Sequence, residues 1–126
     1  MIDKEIEHWV RIVNEEFGLS DKNEASVAYF KELKPIASFV TGKGWYLVYS
    51  TLPDMWGNIG LYVHSFYVMP KNRDKGVLQV IHTIFNTAKI LGCKKIVMGC
   101  HLGNVEKFNK FLKGMGFKPS VFVKEI

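Results

Sequence analysis

The sequence predicts one α/β (α+β) domain, in which a mixed sheet, antiparallel at first and parallel later, is flanked by about four helices. Helical periodicity dominates the first third of the 126 residues, and β-branched and aromatic runs between glycine turns dominate the middle. A strand, a crossover helix and a further strand follow, and this order implies parallel pairing. The length fits a single domain.

Two helices are predicted before Pro35. The first begins at about Asp3 and ends at Gly18, and its apolar residues recur at three- and four-residue spacing: Ile6, Trp9, Val10, Val13 and Phe17. The second begins with Ser20 as its N-cap and stops before Pro35. We expect it to place three residues inward: Ala25, Ala28 and Leu33.

Three strands are predicted next, over Ser38–Thr41, Trp45–Thr51 and Leu61–Val68. Strict alternation along the third strand predicts two faces. One face would carry Leu61, Val63, Ser65 and Tyr67, and the other Tyr62, His64, Phe66 and Val68.

The C-terminal half predicts a helix beyond Gly76 that ends at Gly92, because its apolar residues follow the helical period: Val77, Val80, Ile81, Ile84, Ala88 and Leu91. A short strand follows over Lys95–Cys100. Asn104 opens a last helix, which closes at Gly116, and Ser120–Lys124 supplies a final strand.

The charge balance favours an anionic ligand. Lysine and arginine number 17 against 12 acidic residues, a net charge of +5. Nucleic acid, a phosphorylated cofactor and an acidic partner all fit, but the chain has no long run of like charge and no aromatic ribonucleoprotein motif, which disfavours nucleic acid. Cys93 and Cys100 match neither a redox pair nor a zinc site, and no metal site is predicted.

No apolar stretch approaches the roughly 18 residues of a membrane span, and the acidic N-terminus does not resemble a signal peptide. We therefore expect a cytoplasmic protein without membrane association.

The segment from Val68 to Leu78 joins the longest predicted strand to the most regular helix. A glycine-containing loop at a helix N-terminus presents unpaired N–H groups that suit a diphosphate. Lys71, Arg73 and Lys75 add positive charge there. From the residues alone, a solvated turn is the other interpretation.

Several phrases of the second half match one known family. Arg73, Gly76 and Leu78 fall on the signature Gln/Arg-x-x-Gly-x-Gly/Ala, and the closing Phe111–Phe117 is similar to the family's final phrase. The order of Val68–Pro70, Ala88–Gly92, Lys95–Cys100 and Asn104 agrees as well. From about residue 60 to 120 the chain therefore resembles the GCN5-related N-acetyltransferases.

This resemblance implies an acyl-CoA N-acyltransferase-like fold, acetyl-CoA as cosubstrate, and transfer of an acetyl group to a primary amine of a small molecule or protein. It also implies a β-bulge near Val68 that frees backbone amides for the pantetheine arm. The cofactor-binding residues that it implies are Val68, Met69, Arg73, Asp74, Lys75, Gly76, Val77 and Asn104.

The reaction needs a base, because an amine is mostly protonated at pH 7. His64 is the candidate, since it lies on the strand that carries the family's frequent base; a purely structural hydrogen bond is the alternative. Tyr67 could replace a missing acid, and His101 is a second histidine near the cleft. Trp45, Tyr46, Met55 and Trp56 could form a wall of the acceptor site, or simply pack in core and turn.

Three departures from the family point to a second function. Leu78 replaces a small residue, Asn104 lies one residue too far from the closing Gly-Phe, and the family's tyrosine falls at Leu112 or Phe111. A catalytically inactive relative, acting as a binding or structural protein for instance in a virus particle, is the alternative. The first strand of the fold is missing, and the sheet edge this exposes could be filled by another chain, which would give a homodimer.

Overall fold

A computed structural model describes residues 2–98, 105–119 and 124–126. It has a central sheet with helices on both faces. The helices are α1 (Asp3–Glu16), α2 (Asn23–Leu33), α3 (Arg73–Ile90) and α4 (Val105–Gly114), and the strands are β1 (Ser38–Gly42), β2 (Trp45–Pro53), β3 (Ile59–Val68) and β4 (Lys95–Val97). The strand order is β1-β2-β3-β4.

The predicted mixed sheet is confirmed. Both β1 and β3 run antiparallel to β2, whereas β3 and β4 are parallel because α3 carries the chain back between them. Within the described residues β4 ends at Val97. Met98 and Lys124, which belong to the two predicted strands, lie in no strand, whereas the rest of those predictions beyond Val97 and the helix start at Asn104 fall on residues 99–104 and 120–123, outside the described residues.

One face of the sheet packs against α1 and α2. The buried residues of the sheet here are Tyr46, Val48 and Tyr67, and the helices contribute Trp9, Ile12, Val13, Phe17, Phe30 and Leu33. The predicted inward face of the second helix is wrong in part. Ala25 and Ala28 are exposed, and Phe30 packs inward with Leu33, because the helix begins at Asn23 after a 3-10 turn over Ser20–Lys22 instead of at Ser20.

The opposite face carries the larger core, formed by the sheet with α3 and a contact from α4. Its buried members are Trp45, Leu47, Leu61, Val68, Val80, Ile81, Ile84 and Ala88. Leu91, which the helical period placed inward, is instead exposed because α3 ends at Ile90. Gly92 has a φ of 70°, as expected for the residue that closes the helix.

A β-bulge divides β3. Val48 pairs with Ser65, whereas the next residue, Tyr49, pairs with Val63, so His64 is the extra residue. The predicted strict alternation is therefore wrong. Leu61 and Val63 before the bulge face the same core as Phe66 and Val68 after it. The bulge implied near Val68 lies earlier in the strand, at His64.

Two features are absent from the described residues. None of the helices there combines the length and apolarity needed to cross a bilayer. The same residues contain no group of three or more His, Cys, Asp or Glu side chains placed to hold a metal ion.

Candidate functional site

The C-terminal half of β3 has an open edge. β4 pairs with β3 only from Gly60 to Tyr62, so beyond Tyr62 no described residue pairs with β3 on this side. Met69 N–H donates to Gly44 O at 2.8 Å, which makes Trp45 and Val68 a pair without mutual hydrogen bonds and turns the Val68 N–H away from β2. Of the two predicted pantetheine-binding amides, Val68 thus lies on the open edge, and Met69 is already bonded.

The open edge leads to the N-terminus of α3. A 3-10 turn over Pro70–Asn72 precedes the helix, and the side chain of the N-cap residue Asn72 makes no hydrogen bond to the helix. Helix N-termini carry unpaired N–H groups and a positive partial charge, which favour an anion. Lys71, Asp74 and Lys75 are exposed around this turn, and the Lys75 N–H bonds to Asp74 Oδ1 at 3.0 Å.

Gly76 brings this helix start against the end of β3. A Cβ on Gly76 would lie 2.6 Å from Val68 Cγ1, closer than real contacts allow. Leu78, at the third signature position, is instead 61% exposed and projects from the first turns of α3. The loop is therefore closely packed beneath Gly76 but carries a bulky apolar side chain beside it.

The Arg73 side chain is hydrogen-bonded to other residues of the protein, although 45% of it is exposed. Its Nε donates to Val68 O at 3.0 Å, and its Nη2 donates to both carboxylate oxygens of Glu16, at 2.8 and 2.7 Å. The Tyr67 hydroxyl donates to the same carboxylate at 2.8 Å. We call Glu16, Tyr67 and Arg73 the carboxylate latch; it joins the ends of α1 and β3 to the start of α3.

The carboxylate latch changes the electrostatics of the loop. Because Glu16 neutralises Arg73, the other charges at the helix start are those of Lys71 and Lys75, with the Asp74 carboxylate between them. Sequence reasoning missed Glu16 because it lies 57 positions from Arg73. Its position in α1 gave no signal of this contact.

His64 occupies the bulge and is hydrogen-bonded to a neighbouring strand. Its Nε2 lies 2.6 Å from the Oγ of Ser50, which is buried. If Nε2 carries the proton and donates to Ser50, the lone pair on Nδ1 can accept a proton. The sequence did not reveal Ser50, because this contact depends on the register shift at the bulge.

Burial and the Glu16 carboxylate raise the pKa of Tyr67 to about 12, and burial raises the pKa of Tyr46 to about 12 as well. A phenol with a raised pKa favours the folded state fully below the unfolded value near 10, and this stabilisation disappears as pH rises through 12. Tyr67 therefore holds its proton tightly at neutral pH.

This shift predicts an alkaline loss of stability. Between pH 9 and pH 12 we expect the free energy of unfolding to fall by on the order of 1 to 3 kcal/mol for each of these tyrosines. Tyr67→Phe should remove the part of this fall that Tyr67 causes. Urea unfolding of the wild-type and Tyr67→Phe proteins across this pH range measures the difference. Identical pH profiles for the two proteins would contradict the prediction.

The remaining predicted site residues do not come together. Trp45 is buried and donates from Nε1 to Gln79 Oε1 at 3.1 Å, and Tyr46 is buried against Ser65. Met55 and Trp56 are exposed in the turn at the other end of β2. These four side chains, three aromatic and one of methionine, therefore do not line one common surface. His101 and Asn104 lie outside the described residues.

Leu112 occupies one of the two positions where the family's tyrosine would fall. It is 5% exposed and belongs to α4, while Phe111 packs against the larger core. Neither side chain can donate a proton.

Comparison with known proteins places this geometry in context. No family model and no curated protein matches the chain. Solved structures do match: a "Putative acetyl transferase" from Pyrococcus furiosus has 17% identity and a TM-score of 0.76, with 98% of this chain and 91% of that chain covered. A transcriptional regulator from Bacillus halodurans has 18% identity and a TM-score of 0.74, with 100% and 95% covered.

A "predicted acetyltransferase with acetyl-CoA" from Clostridium acetobutylicum has 16% identity and a TM-score of 0.66, and the match covers 100% of this chain and 92% of that chain. At identities this low, the structural similarity establishes the fold and nothing beyond it. The chain therefore has the acyl-CoA N-acyltransferase fold that the resemblance implied.

Proposed function

We propose that this protein is an acetyl-CoA-dependent N-acetyltransferase that acetylates a primary amine. The observation that carries the proposal is the continuity between the open edge of β3 and the uncapped start of α3. An extended amide-containing arm suits the first, and a diphosphate suits the second. CoA contains both groups in one molecule.

The residues present fit this ligand. Val68 offers a backbone N–H on the open edge, and the first turn of α3, beside Lys71 and Lys75, offers the N–H groups that Asp74 does not occupy. Gly76 is the residue that allows β3 and α3 to meet, since a Cβ there would collide with Val68. In this proposal Arg73 supports the loop through the carboxylate latch, and Asp74 and Val77 contribute backbone.

The acetyl thioester supplies an activated carbonyl group: the acceptor nitrogen bonds to its carbon, the carbon–sulfur bond breaks, and CoA leaves as a thiolate. His64 accepts the proton that the ammonium form of the amine must lose before attack, and Ser50 orients the ring. The second proton leaves the nitrogen as the amide forms and is taken up by the departed thiolate.

Tyr67 receives no acid role in this proposal, because its proton is held by Glu16. A thiol has a pKa of about 8.5, so a thiolate departs without the proton that an alkoxide would need.

The first test is thermal unfolding with acetyl-CoA, with 3′-dephospho-CoA and ATP as controls. At about 100 times the dissociation constant, the ligand should add about 2.7 kcal/mol and raise the midpoint by several degrees. Absence of a shift with both CoA and acetyl-CoA would refute the proposal.

A matched pair of variants locates the site. Lys75→Gln should weaken CoA binding about 3- to 10-fold, since it removes a charge beside the helix start. Lys89→Gln removes the same charge from the other end of α3, about 21 Å away, and should leave the affinity unchanged. Titration calorimetry measures both constants; equal effects would mean that CoA does not bind at this end of the helix.

An inactive CoA-binding protein is the second candidate, favoured by the buried Leu112 and the projecting Leu78. The two functions separate in one assay, in which a thiol reagent detects CoA released during incubation with a panel of amines. Stabilisation by CoA without amine-dependent thiol release would support the inactive relative.

A further inference from the structure

The outer edge of β1 is an unpaired strand edge. β1 is the terminal strand, and no described residue forms a strand on its outer side. It pairs with β2 in unbroken antiparallel register from Ser38 opposite Tyr49 to Gly42 opposite Trp45. This surface is independent of the proposed acetyltransferase site.

The hydrogen-bond pattern fixes which groups face outward. Trp45 turns its own N–H and C=O away from β3, because Met69 N–H bonds to Gly44 O on that side. Trp45 and Gly42 are therefore a hydrogen-bonded pair, and the pattern alternates along β1. The N–H and C=O groups of Phe39 and Thr41 consequently face away from β2, where a further strand would lie.

This edge lacks the devices that block pairing with another chain. Ser38–Gly42 contains no proline and no charged residue, and its pairing with β2 shows no bulge. Natural edge strands are usually protected by one of these features. Ile36, just before the strand, is 68% exposed.

We propose that β1 pairs antiparallel with β1 of a second copy of this chain, about a two-fold axis at Val40. Phe39 of each copy then lies opposite Thr41 of the other, and the four outward-facing groups on each strand bond to their equivalents. The interface is isologous, and the sheet continues from one subunit into the next.

A second copy suits the residues of the strand itself. In this register Ser38 of each copy lies opposite Gly42 of the other, and Val40 lies opposite its own equivalent, so no charged side chains meet across the new strand pair. Lys43 and Gly44 form the turn into β2 and lie beyond the paired segment. Self-pairing thus satisfies the outward backbone groups without opposing any charges.

The test begins with sedimentation velocity of the full chain over a range of micromolar concentrations. We expect particles of two 14.4 kDa chains. Thr41→Pro removes an N–H that points outward, so it should raise the dimer dissociation constant about tenfold or more without breaking a β1–β2 bond. A wild-type monomer throughout the range, or a folded Thr41→Pro protein with an unchanged constant, would overturn the proposal.

A second variant decides the matter if Thr41→Pro does not fold. Thr41→Lys keeps the backbone and adds the charge that natural edge strands use against pairing. Thr51→Lys places the same charge on an exposed position of the inner strand β2. We expect dimers only from Thr51→Lys. In wild-type protein, exchange of the Phe39 and Thr41 amide protons should slow as concentration rises; concentration-independent exchange would argue against pairing at this edge.

Discussion

Replacing His64 with glutamine should lower the rate of acetyl transfer by about 10²- to 10⁴-fold, the usual contribution of a general base. Glutamine can keep a hydrogen bond to Ser50 Oγ, so the bulge should persist while the proton acceptor is lost. The expected result is a fall in kcat with little change in the dissociation constant of CoA. Steady-state kinetics and calorimetry on the same preparations measure the two quantities.

Two further variants separate a base from a structural histidine. Ser50→Ala leaves the imidazole but removes its partner, and we expect an intermediate loss of activity. Tyr67→Phe removes the hydroxyl that bonds to Glu16. Because this hydroxyl has no acid role in the proposal, activity at neutral pH should stay near the wild-type level. A His64→Gln protein with wild-type kcat would show that the histidine acts only in structure.

Replacing Gly44 with alanine should destabilise the fold by about 2 to 5 kcal/mol. Gly44 has a φ of 74°, and a Cβ on it would overlap the side-chain oxygen of Asn72 in the turn before α3. The variant combines backbone strain with a collision, and it should also weaken CoA binding because Asn72 directly precedes α3. Urea unfolding and CoA titration measure the two effects.

Gly18 provides the matched control. Its φ is 68°, but a Cβ there would meet no atom within 4 Å. Gly18→Ala should therefore cost only the backbone strain, about 1 to 2 kcal/mol, and leave CoA affinity unchanged. Equal destabilisation by the two substitutions would mean that the contact between Gly44 and Asn72 is unimportant.

The order of elements was predictable because local patterns determine it. The apolar residues of α3 follow the helical period, and glycines with positive φ end α1 and α3 at Gly18 and Gly92 as predicted. The strand–helix–strand order likewise predicted the parallel pair, since a crossover helix requires it.

Features that depend on pairing between distant segments were not predictable. A bulge adds one residue to a strand without a local signal, so the alternation in β3 was predicted without the reversal at His64. The same reversal brings His64 to Ser50. Glu16 was missed because its carboxylate reaches Tyr67 and Arg73 only when α1 packs beside β3.

The carboxylate latch constrains the order in which the segments of the protein fold. Glu16 closes α1, whereas Tyr67 and Arg73 lie half the chain later, so the bonds among them form only when the N-terminal helix has docked on the sheet. The turn that precedes α3 is thereby tied to the earliest segment of the sequence. A protein lacking α1 would retain the residues of the loop yet lose the carboxylate that anchors it.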